Sequence, residues 1–254
     1  MTQPSPVFRT RLAASAQDIA AAQRLRYSVF VRELGACGGL IDHAAQTEAD
    51  RFDPFADHLL LEDTAQPGAP VVGAYRLMSA AQAAAAGGFS AAPEFDLTPL
   101  LATGRPVLEL GRSCLLPAYR GGPAMMHLFA ALAQIAADRG DAIMFGVASF
   151  HGTDAGALTA PLAYLRQHHL APAHLRARAH GPGAAVMPAQ DPTDRKAALR
   201  DIPPLIKAYL RLGGVVGEGA YVDTAFNTVD VCMILDPTLM TTAQRARAVP
   251  ERMR

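Results

Sequence analysis

One stretch constrains the chain more than any other: residues 107–140, VLELGRSCLLPAYRGGPAMMHLFAALAQIAADRG. It opens as an apolar run suited to a buried strand, yet Glu109 and Arg112 are embedded in it. It then turns through Pro117, Arg120, Gly121 and Gly122. Pro123 stands where a helix can begin, because the N–H that proline lacks would have no partner in the first turn. Met125, Leu128, Phe129, Leu132 and Ile135 follow at helical spacing, and Gly140 supplies a residue free to take positive φ at the helix end. A strand, a glycine-bearing turn and a helix form an anion site. The first N–H groups of the helix face the turn, and the helix dipole adds partial positive charge there. A phosphate is the natural ligand; the alternative is a turn that serves packing alone.

The remaining elements fit around this unit. Residues 7–14 read as a first strand. Ser15, three residues before Asp18, reads as the cap of a helix running to about residue 34, on which Arg26 and Phe30 share a face. Residues 41–55 are polar and carry Glu48, Asp50 and Asp53; three carboxylates so close repel one another, which suits a solvated loop. Strands are expected over 57–63 and 70–78, then an Ala- and Gly-rich, partly helical excursion over 79–99. Residues 141–150 are nearly all apolar, as in a strand buried on both faces. Residues 151–169 read as one or two helices with Pro161 at a break or a start, and 175–180 as a strand. A loop over 181–194, a helix over 203–212 capped by Asp201, and closing strands over 215–222 and 228–235 complete the core. Residues 237–254 read as a polar, frayed tail. With no Pro/Ser linker and no internal repeat, the chain reads as one α/β (α+β) domain over 1–254, with a core over about 7–236.

Composition excludes several classes of function. The formal net charge is zero, which argues against nucleic-acid binding through bulk charge. Cys37, Cys114 and Cys232 are an odd number and form no CxxC pair, so a reducing compartment, the cytoplasm, is expected. No stretch approaches the ~18 apolar residues of a membrane span, and the N-terminus lacks a signal-peptide core. At most a peripheral contact with the inner membrane is expected. His168, His169 and His174 lack metal-ligand spacing, and no metal is expected. His58 and Asp63 match an HxxxxD pattern, but their odd separation on a strand points them to opposite faces. Ser149 is not in a GxSxG elbow, so Ser149, His151 and Asp154 do not read as a triad.

The charges inside apolar runs are more informative. Arg76, Glu109 and Arg112 sit in strand-like segments, and a buried charge is costly unless paired. One reading is a buried ion-pair cluster of Arg26, Arg76 and Arg112 against Glu48, Asp50, Asp53 and Glu109, which closes the acidic segment onto the sheet. The other is a cleft for a zwitterion, with arginines forking onto a carboxylate and acids holding an ammonium. Both can hold together.

The set Arg26, Phe30, Glu48-x-Asp50-x-x-Asp53, Arg76, Glu109 and Arg112 resembles the signature of acyl-homoserine lactone synthases. Those proteins have the GNAT acyltransferase fold and use acyl carrier protein thioesters. They carry a tryptophan shortly after the phenylalanine; this chain has none, and Ala36 lies near that position. The blocks LRYSVFVRELG, ADRFDPFADHLLL, VLELGRSCLLPAYR, FGVASFHGTD, LAYLRQHHLAP, IPPLIKAYLRLGG and DTAFNTVDVCMIL resemble more closely the ornithine N-acyltransferase family, the first enzyme of ornithine-lipid synthesis, and run in order from 25 to 235. Pro123 stands where the GNAT turn R/Q-x-x-G-x-G/A has its first glycine. That departure argues against a CoA pyrophosphate and leaves room for a donor whose single phosphate is on a carrier protein.

The resemblance implies a GNAT fold, a central twisted mixed sheet flanked by helices. It implies transfer of a long, 3-hydroxylated acyl chain from acyl carrier protein to the α-amino group of L-ornithine, giving lyso-ornithine lipid with no cofactor. The thioester would lie where strands 107–115 and 143–149 splay apart. Glu48, aided by Glu109, would take the proton, with Arg112 beside them. Arg26, Arg76 and Arg112 would hold the acceptor carboxylate, and Asp50 and Asp53 its side-chain ammonium. Ser149 and Phe150 would line the substrate site, and Phe30, Phe145 and Phe150 the acyl channel. An oxyanion N–H would come from Ser113 to Leu115, and Leu115, Arg120, Gly121 and Gly122 would hold the phosphopantetheine. Acylation of another amine, lactone synthesis included, and a non-catalytic carrier-binding module are the alternatives.

Overall fold

The structure, a computed structural model, describes residues 5–140 and 142–248. Strand β1 (Phe8–Leu12) leads into helix α1 (Ala16–Arg26), whose first turn is capped by the Ser15 hydroxyl accepting from the Asp18 N–H at 3.2 Å. The expected continuation to about residue 34 is helical but widened, with Tyr27–Glu33 forming a π-helix. Such wide turns gather at functional sites. The segment expected to be a solvated loop is folded instead. Strands β2 (Leu40–Asp42) and β3 (Thr47–Ala49) pair as a hairpin, and Asp53–Phe55 makes a 3₁₀ turn, with Glu48 and Asp53 buried. Strands β4 (Asp57–Asp63) and β5 (Val71–Ser79) follow as expected.

Helix α2 (Ala80–Ala85) opens on a capping box between Ser79 and Gln82. Strand β6 (Phe95–Asp96) and helix α3 (Thr98–Leu101) precede β7 (Val107–Leu115). Helix α4 (Ala124–Asp138) starts directly after Pro123, and Gly140 leaves it at φ +77°, as the sequence requires. Strand β8 (Ile143–His151) is the expected apolar run; its expected first residue, Asp141, lies outside the described residues. Helix α5 (Thr159–His169) is single, with Pro161 in its first turn, where proline is tolerated.

The expected strand over 175–180 shrinks to β9 (Arg178–Ala179), and β10 (Ala184–Ala185) forms inside the expected loop. Helix α6 (Arg195–Asp201) was not expected. Its cap is Asp194, which accepts from the Ala197 N–H at 2.9 Å, so Asp201 ends one helix rather than capping the next. Helix α7 (Pro204–Arg211) has no side-chain cap. A bend at Gly219, φ +84°, divides the expected closing strand into β11 (Val215–Val216) and β12 (Ala220–Asp223). Strand β13 (Thr228–Leu235) matches its expected span. Helix α8 (Thr242–Ala248) occupies part of the expected tail, whose last residues, 249–254, lie outside the described ones.

The main sheet runs β1-β4-β5-β7-β8-β13-β12-β10, with β11 also on β13. Its pairs are antiparallel except β7–β8, whose parallel pairing needs the α4 crossover. Alternation along β8 sets two faces. Met144, Ala148 and Phe150 pack with Leu128, Phe129 and Leu132 of α4, while Ile143 and Phe145 pack with Phe89, Phe95 and Leu100. Helix α1, with Leu25, and the π-helix, with Val29, cover Leu60, Ala74 and Cys114. The sheet is therefore mixed and flanked by helices on both sides. Among the described residues, no helix is long and apolar enough to cross a membrane.

Candidate active site

Helix α1 aims Arg26 inward, where it is 1 % exposed. Its fork meets both oxygens of Asp53 at 2.7 Å, and its Nε donates to Glu48 Oε2 at 2.5 Å. From β5, Arg76 pairs with Asp50 and reaches Asp53 Oδ1 at 3.5 Å. From β7, Arg112 Nη2 meets Asp50 Oδ2 at 2.8 Å, and its Nε faces Glu48 Oε1 at 3.4 Å. Three arginines thus balance three carboxylates, which makes their joint burial tolerable. This is why the acidic segment folds onto the sheet instead of standing in solvent. Burial pushes the Asp53 carboxyl up, but the Arg26 fork outweighs it and holds it well below the usual range. Asp50 is likewise held low against burial by Arg76 and Arg112. Burial, then Arg76, lowers the Arg112 guanidinium.

Five of the six carboxylate oxygens accept hydrogen bonds; the sixth, Glu48 Oε1, accepts none from the described residues. Arg76 Nη2 and Arg112 Nε are likewise buried without a hydrogen-bond partner among them. Glu48 Oε1 and Arg112 Nε face each other as an ion pair without hydrogen-bond geometry, so these two atoms and Arg76 Nη2 keep hydrogen-bonding capacity. Asp50 and Asp53, the residues expected to hold the side-chain ammonium, are both paired with arginines in this arrangement. Glu109 stands outside the network. Its carboxylate, expected to aid Glu48 in taking the proton, accepts the Ser90 N–H at 3.0 Å and the Ala91 N–H at 2.7 Å, which pins that loop to β7.

Strands β7 and β8 pair over three positions only, ending at Glu109 and Phe145. Just beyond, a Cβ on Gly146 would lie 1.9 Å from the Leu110 carbonyl oxygen, so only glycine allows this approach. The strands then part. The gap is lined by Leu110, Phe145, Gly146, Val147 and Tyr209. Leu110, Met144, Tyr209 and Leu235 also line a neighbouring apolar cavity of about 140 Å³, which runs on beneath α4 past Phe129, Leu132 and Met240. Of the residues expected to line an acyl channel, Phe145 borders the gap. Phe150 is 2 % exposed in the core on the α4 face, and Phe30 lies on the other side, against Phe226. The sequence misses this cavity because its walls come from α4, α7 and the segment after β13. In its wall, Tyr209 meets the buried Tyr75 hydroxyl at 2.9 Å, and burial pushes the Tyr75 phenol up to about 12.

Arg112 has φ +51°, unusual for a residue with a side chain, where the β5–β7 register is interrupted. Its guanidinium lies 4.5 Å from the Phe226 ring centre, and Phe30 meets the same ring edge-on at 6.4 Å. Ser149, exposed on β8 beyond the gap, stands opposite Asp230 of β13. Asp230, Asp223 and Glu94 were not foreseen. An oxygen of each lies within 4.8 Å of the others. Asp230 is a lone carboxylate in a fully buried strand, the same signal that marks Arg76 and Glu109. Burial first, then Asp230 and Asp223, pushes the Glu94 carboxyl up to about 8, and burial pushes Asp230 up to about 6.

At the start of α4 the expected donor residues do cluster. Gly121 turns at φ +75°, and Arg120 Nε donates to the Leu115 carbonyl at 3.0 Å. The Arg120 fork is not free, however; it grips Glu33, at the end of the π-helix, at 2.5 and 2.8 Å. His58 and Asp63 serve separate contacts, His58 to the Asp53 carbonyl at 3.1 Å and Asp63 to the Tyr119 hydroxyl at 2.9 Å.

A parallel strand pair that parts beside an apolar cavity, with a helix crossover and, nearby, a buried carboxylate oxygen that accepts no hydrogen bond from the described residues, is the arrangement of an N-acyltransferase of the GNAT fold. The family model described as an acetyltransferase (GNAT) domain matches residues 25–130. The acyl-homoserine lactone synthase LasI shares the fold, with a TM-score of 0.51 at 13 % identity over 97 % of this chain and 96 % of that one. So does the lactone synthase BjaI, with a TM-score of 0.51 at 16 % identity over 94 % and 83 %. The L-ornithine N(alpha)-acyltransferase of Rhodobacter capsulatus is 54 % identical over 241 residues, covering 94 % of this chain and 93 % of the relative. That of Brucella abortus is 42 % identical over 238 residues, covering 90 % and 84 %. The chain belongs to the L-ornithine N(alpha)-acyltransferase family, and it is an N-acyltransferase.

Proposed function

We propose that this enzyme moves a long-chain, 3-hydroxylated acyl group from acyl carrier protein to the α-amino group of L-ornithine, with lyso-ornithine lipid as product. The observation that carries the acceptor is the 54 % identity, over nearly the whole chain, to a relative named for acylating that amine. The thioester enters the gap between β7 and β8, and its chain follows the apolar cavity under α4. Arg76 Nη2 and Arg112 Nε hold the acceptor carboxylate by charge-assisted hydrogen bonds. The α-ammonium must lose a proton before its nitrogen can attack, and Glu48 Oε1, which accepts no hydrogen bond from the described residues and faces Arg112 Nε at 3.4 Å, is the base. Attack forms the C–N bond and puts the carbonyl electrons on oxygen. Backbone N–H groups on the edge of β7 that β8 has left, near Ser113 to Leu115, stabilise that oxyanion. Collapse breaks the C–S bond, and the carrier's thiolate departs and takes up a proton.

The experiment supplies purified enzyme with L-ornithine and an acyl carrier protein charged with a long-chain 3-hydroxyacyl group. Acetyl-CoA and other amino acids run as parallel arms, and products are read by mass spectrometry. N-acylornithine formed from the carrier thioester is the expected result. Glu48→Gln should lower the rate by about 10²–10⁴, a deficit that shrinks as rising pH supplies free amine from solution. Acylation confined to other amines, or to acetyl-CoA as donor, would overturn the reading.

A further inference from the structure

We propose that Glu94, Asp223 and Asp230 form a subsite for the side-chain ammonium of a diamino acid acceptor, and thereby select ornithine over amino acids with apolar side chains. This rests on the acceptor reading above and goes further by assigning the group that recognises the second amine.

Three carboxylates that lie within 4.8 Å of one another and pair with no arginine or lysine among the described residues are out of balance with the rest of the fold. The neighbouring arginine network shows the contrast, with each carboxylate matched to a guanidinium. Asp230 is 3 % exposed, and its Oδ1 has no hydrogen-bond partner among the described residues. Independently of the acids, the Thr228 hydroxyl on the same strand is 8 % exposed and equally unpartnered. The Ser149 hydroxyl across the strand pair and then the Thr228 hydroxyl lie close enough to Asp230 to lower that carboxyl, yet neither has hydrogen-bond geometry to Asp230 Oδ1. Buried polar groups are normally satisfied, and orphans mark a partner that is not protein. An ionised Asp230 can only accept, and the Thr228 hydroxyl can accept as well as donate, so a cationic donor satisfies both.

The position fits the acceptor. Asp223 Oδ1 accepts the N–H groups of Ala225 and Phe226 at 2.8 and 3.1 Å, so it holds the ring that carries Arg112. Asp230 stands opposite Ser149, beyond the point where β7 and β8 part. Ornithine would span from Glu48 and Arg112 at its α-carbon to the three acids at its side chain. An alkylammonium has three N–H donors for the three acids, and its charge would offset the burial and crowding that raise the Glu94 carboxyl, so that binding draws off the Glu94 proton. The ammonium's ordinary pKa of about 10.4 keeps it protonated, so the amine held there cannot attack. The amine at Glu48 gives up its proton and becomes the nucleophile, so the pair of sites also dictates which nitrogen is acylated.

The test compares kcat/KM for L-ornithine with that for L-norvaline, the same carbon skeleton without the terminal amine, using the carrier thioester as donor. The wild type should favour ornithine by roughly 10²-fold or more. Asp230→Asn, Glu94→Gln and Asp223→Asn should each cut that ratio about 10- to 100-fold. Acylation of norvaline reports that a variant is folded, and Asp223→Asn retains the oxygen that caps the turn. Variants that keep the full preference for ornithine, or a wild type that does not discriminate, overturn the subsite and leave the acceptor reading standing. A wild type that acylates neither amino acid removes both. Mg²⁺, Mn²⁺ or Ca²⁺ binding by calorimetry that disappears in Asp230→Asn while the ornithine preference persists would assign the cluster to a metal, and likewise overturn the proposal.

Discussion

Asp53 accepts from Arg26, Arg76, Gln23 and the Asp50 N–H while only 3 % exposed, and it ties α1 to the acidic segment. Asp53→Asn leaves Arg26 buried without half of its counter-charge, a change that typically costs about 3–5 kcal/mol. Thermal or urea unfolding should show a loss of that order; an unchanged midpoint would mean that the network does not hold the fold. Asp53 and Glu94 should also give opposite pH signatures. The folded-state pKa of Asp53 is depressed, so its contribution is present above the unfolded carboxylate value and fades as pH falls. The Glu94 carboxyl is raised from 4.5 to about 8, so the folded state holds a proton that the unfolded state has lost. Stability therefore declines as pH rises across that window. Glu94→Gln should remove the decline, matching wild type near pH 4.5 and melting several degrees higher at pH 8, at about 2–4 °C per kcal/mol for a chain of this size. Equal melting temperatures at both values would refute the assignment.

At the scale of elements, the decisive contact is the approach of β8 to β7 at Gly146. An added methyl would sit 1.9 Å from the Leu110 carbonyl oxygen and 3.0 Å from its carbon, and backbone cannot swing aside as a side chain can. Gly146→Ala should destabilise by about 1–3 kcal/mol and reduce acyl transfer beyond the loss of folded protein, because the gap itself changes shape. A variant as active as wild type per folded molecule would separate the gap from the chemistry. The elements around this contact were legible in the sequence: β7, α4, β8 and β13 each carry a long, regular apolar pattern, and Pro123 and Gly140 bracket the helix. The π-helix was not legible, since a wider turn over seven residues leaves the apolar spacing almost unaltered. Nor was the β2–β3 hairpin, whose acids read as solvated because their arginine partners are 22 to 27 residues away for Arg26, and further still for Arg112. Helix α6 is short and polar, and only its Asp194 cap announces it. For the site, Arg26, Arg76 and Arg112 stood out as charges in apolar runs. Asp230 carried the same mark, but its partners, Asp223 on β12 and Glu94 in a loop, are joined to it only by the sheet topology.

For the whole molecule, zero net charge means that no long-range field draws a partner in, so any docking of a phosphate-bearing carrier protein must be local. The candidate locus is the start of α4, where N–H groups and the helix dipole favour an anion. There the Arg120 fork is held by Glu33, with the two side chains 41 % and 32 % exposed. An ion pair that open to solvent is worth at most about 1 kcal/mol, so a phosphate with the helix terminus behind it can displace the Glu33 carboxylate. Glu33 then acts as a stand-in for the donor, and the two residues should respond differently to substitution. Arg120→Ala should raise the KM for acyl carrier protein about tenfold or more, the worth of a charge-assisted hydrogen bond, with little change in the KM for the amine. Glu33→Gln removes the competitor and should leave the donor KM unchanged or lower it. The donor KM of the wild type should climb with ionic strength, as exposed pairs are screened over about 8–10 Å, and that climb should flatten in Arg120→Ala. Both KM values measured at low and high salt decide the matter. An Arg120→Ala defect confined to the amine, or a donor KM indifferent to salt, would move carrier docking away from the α4 terminus and leave Arg120 as a strut between that turn and the π-helix.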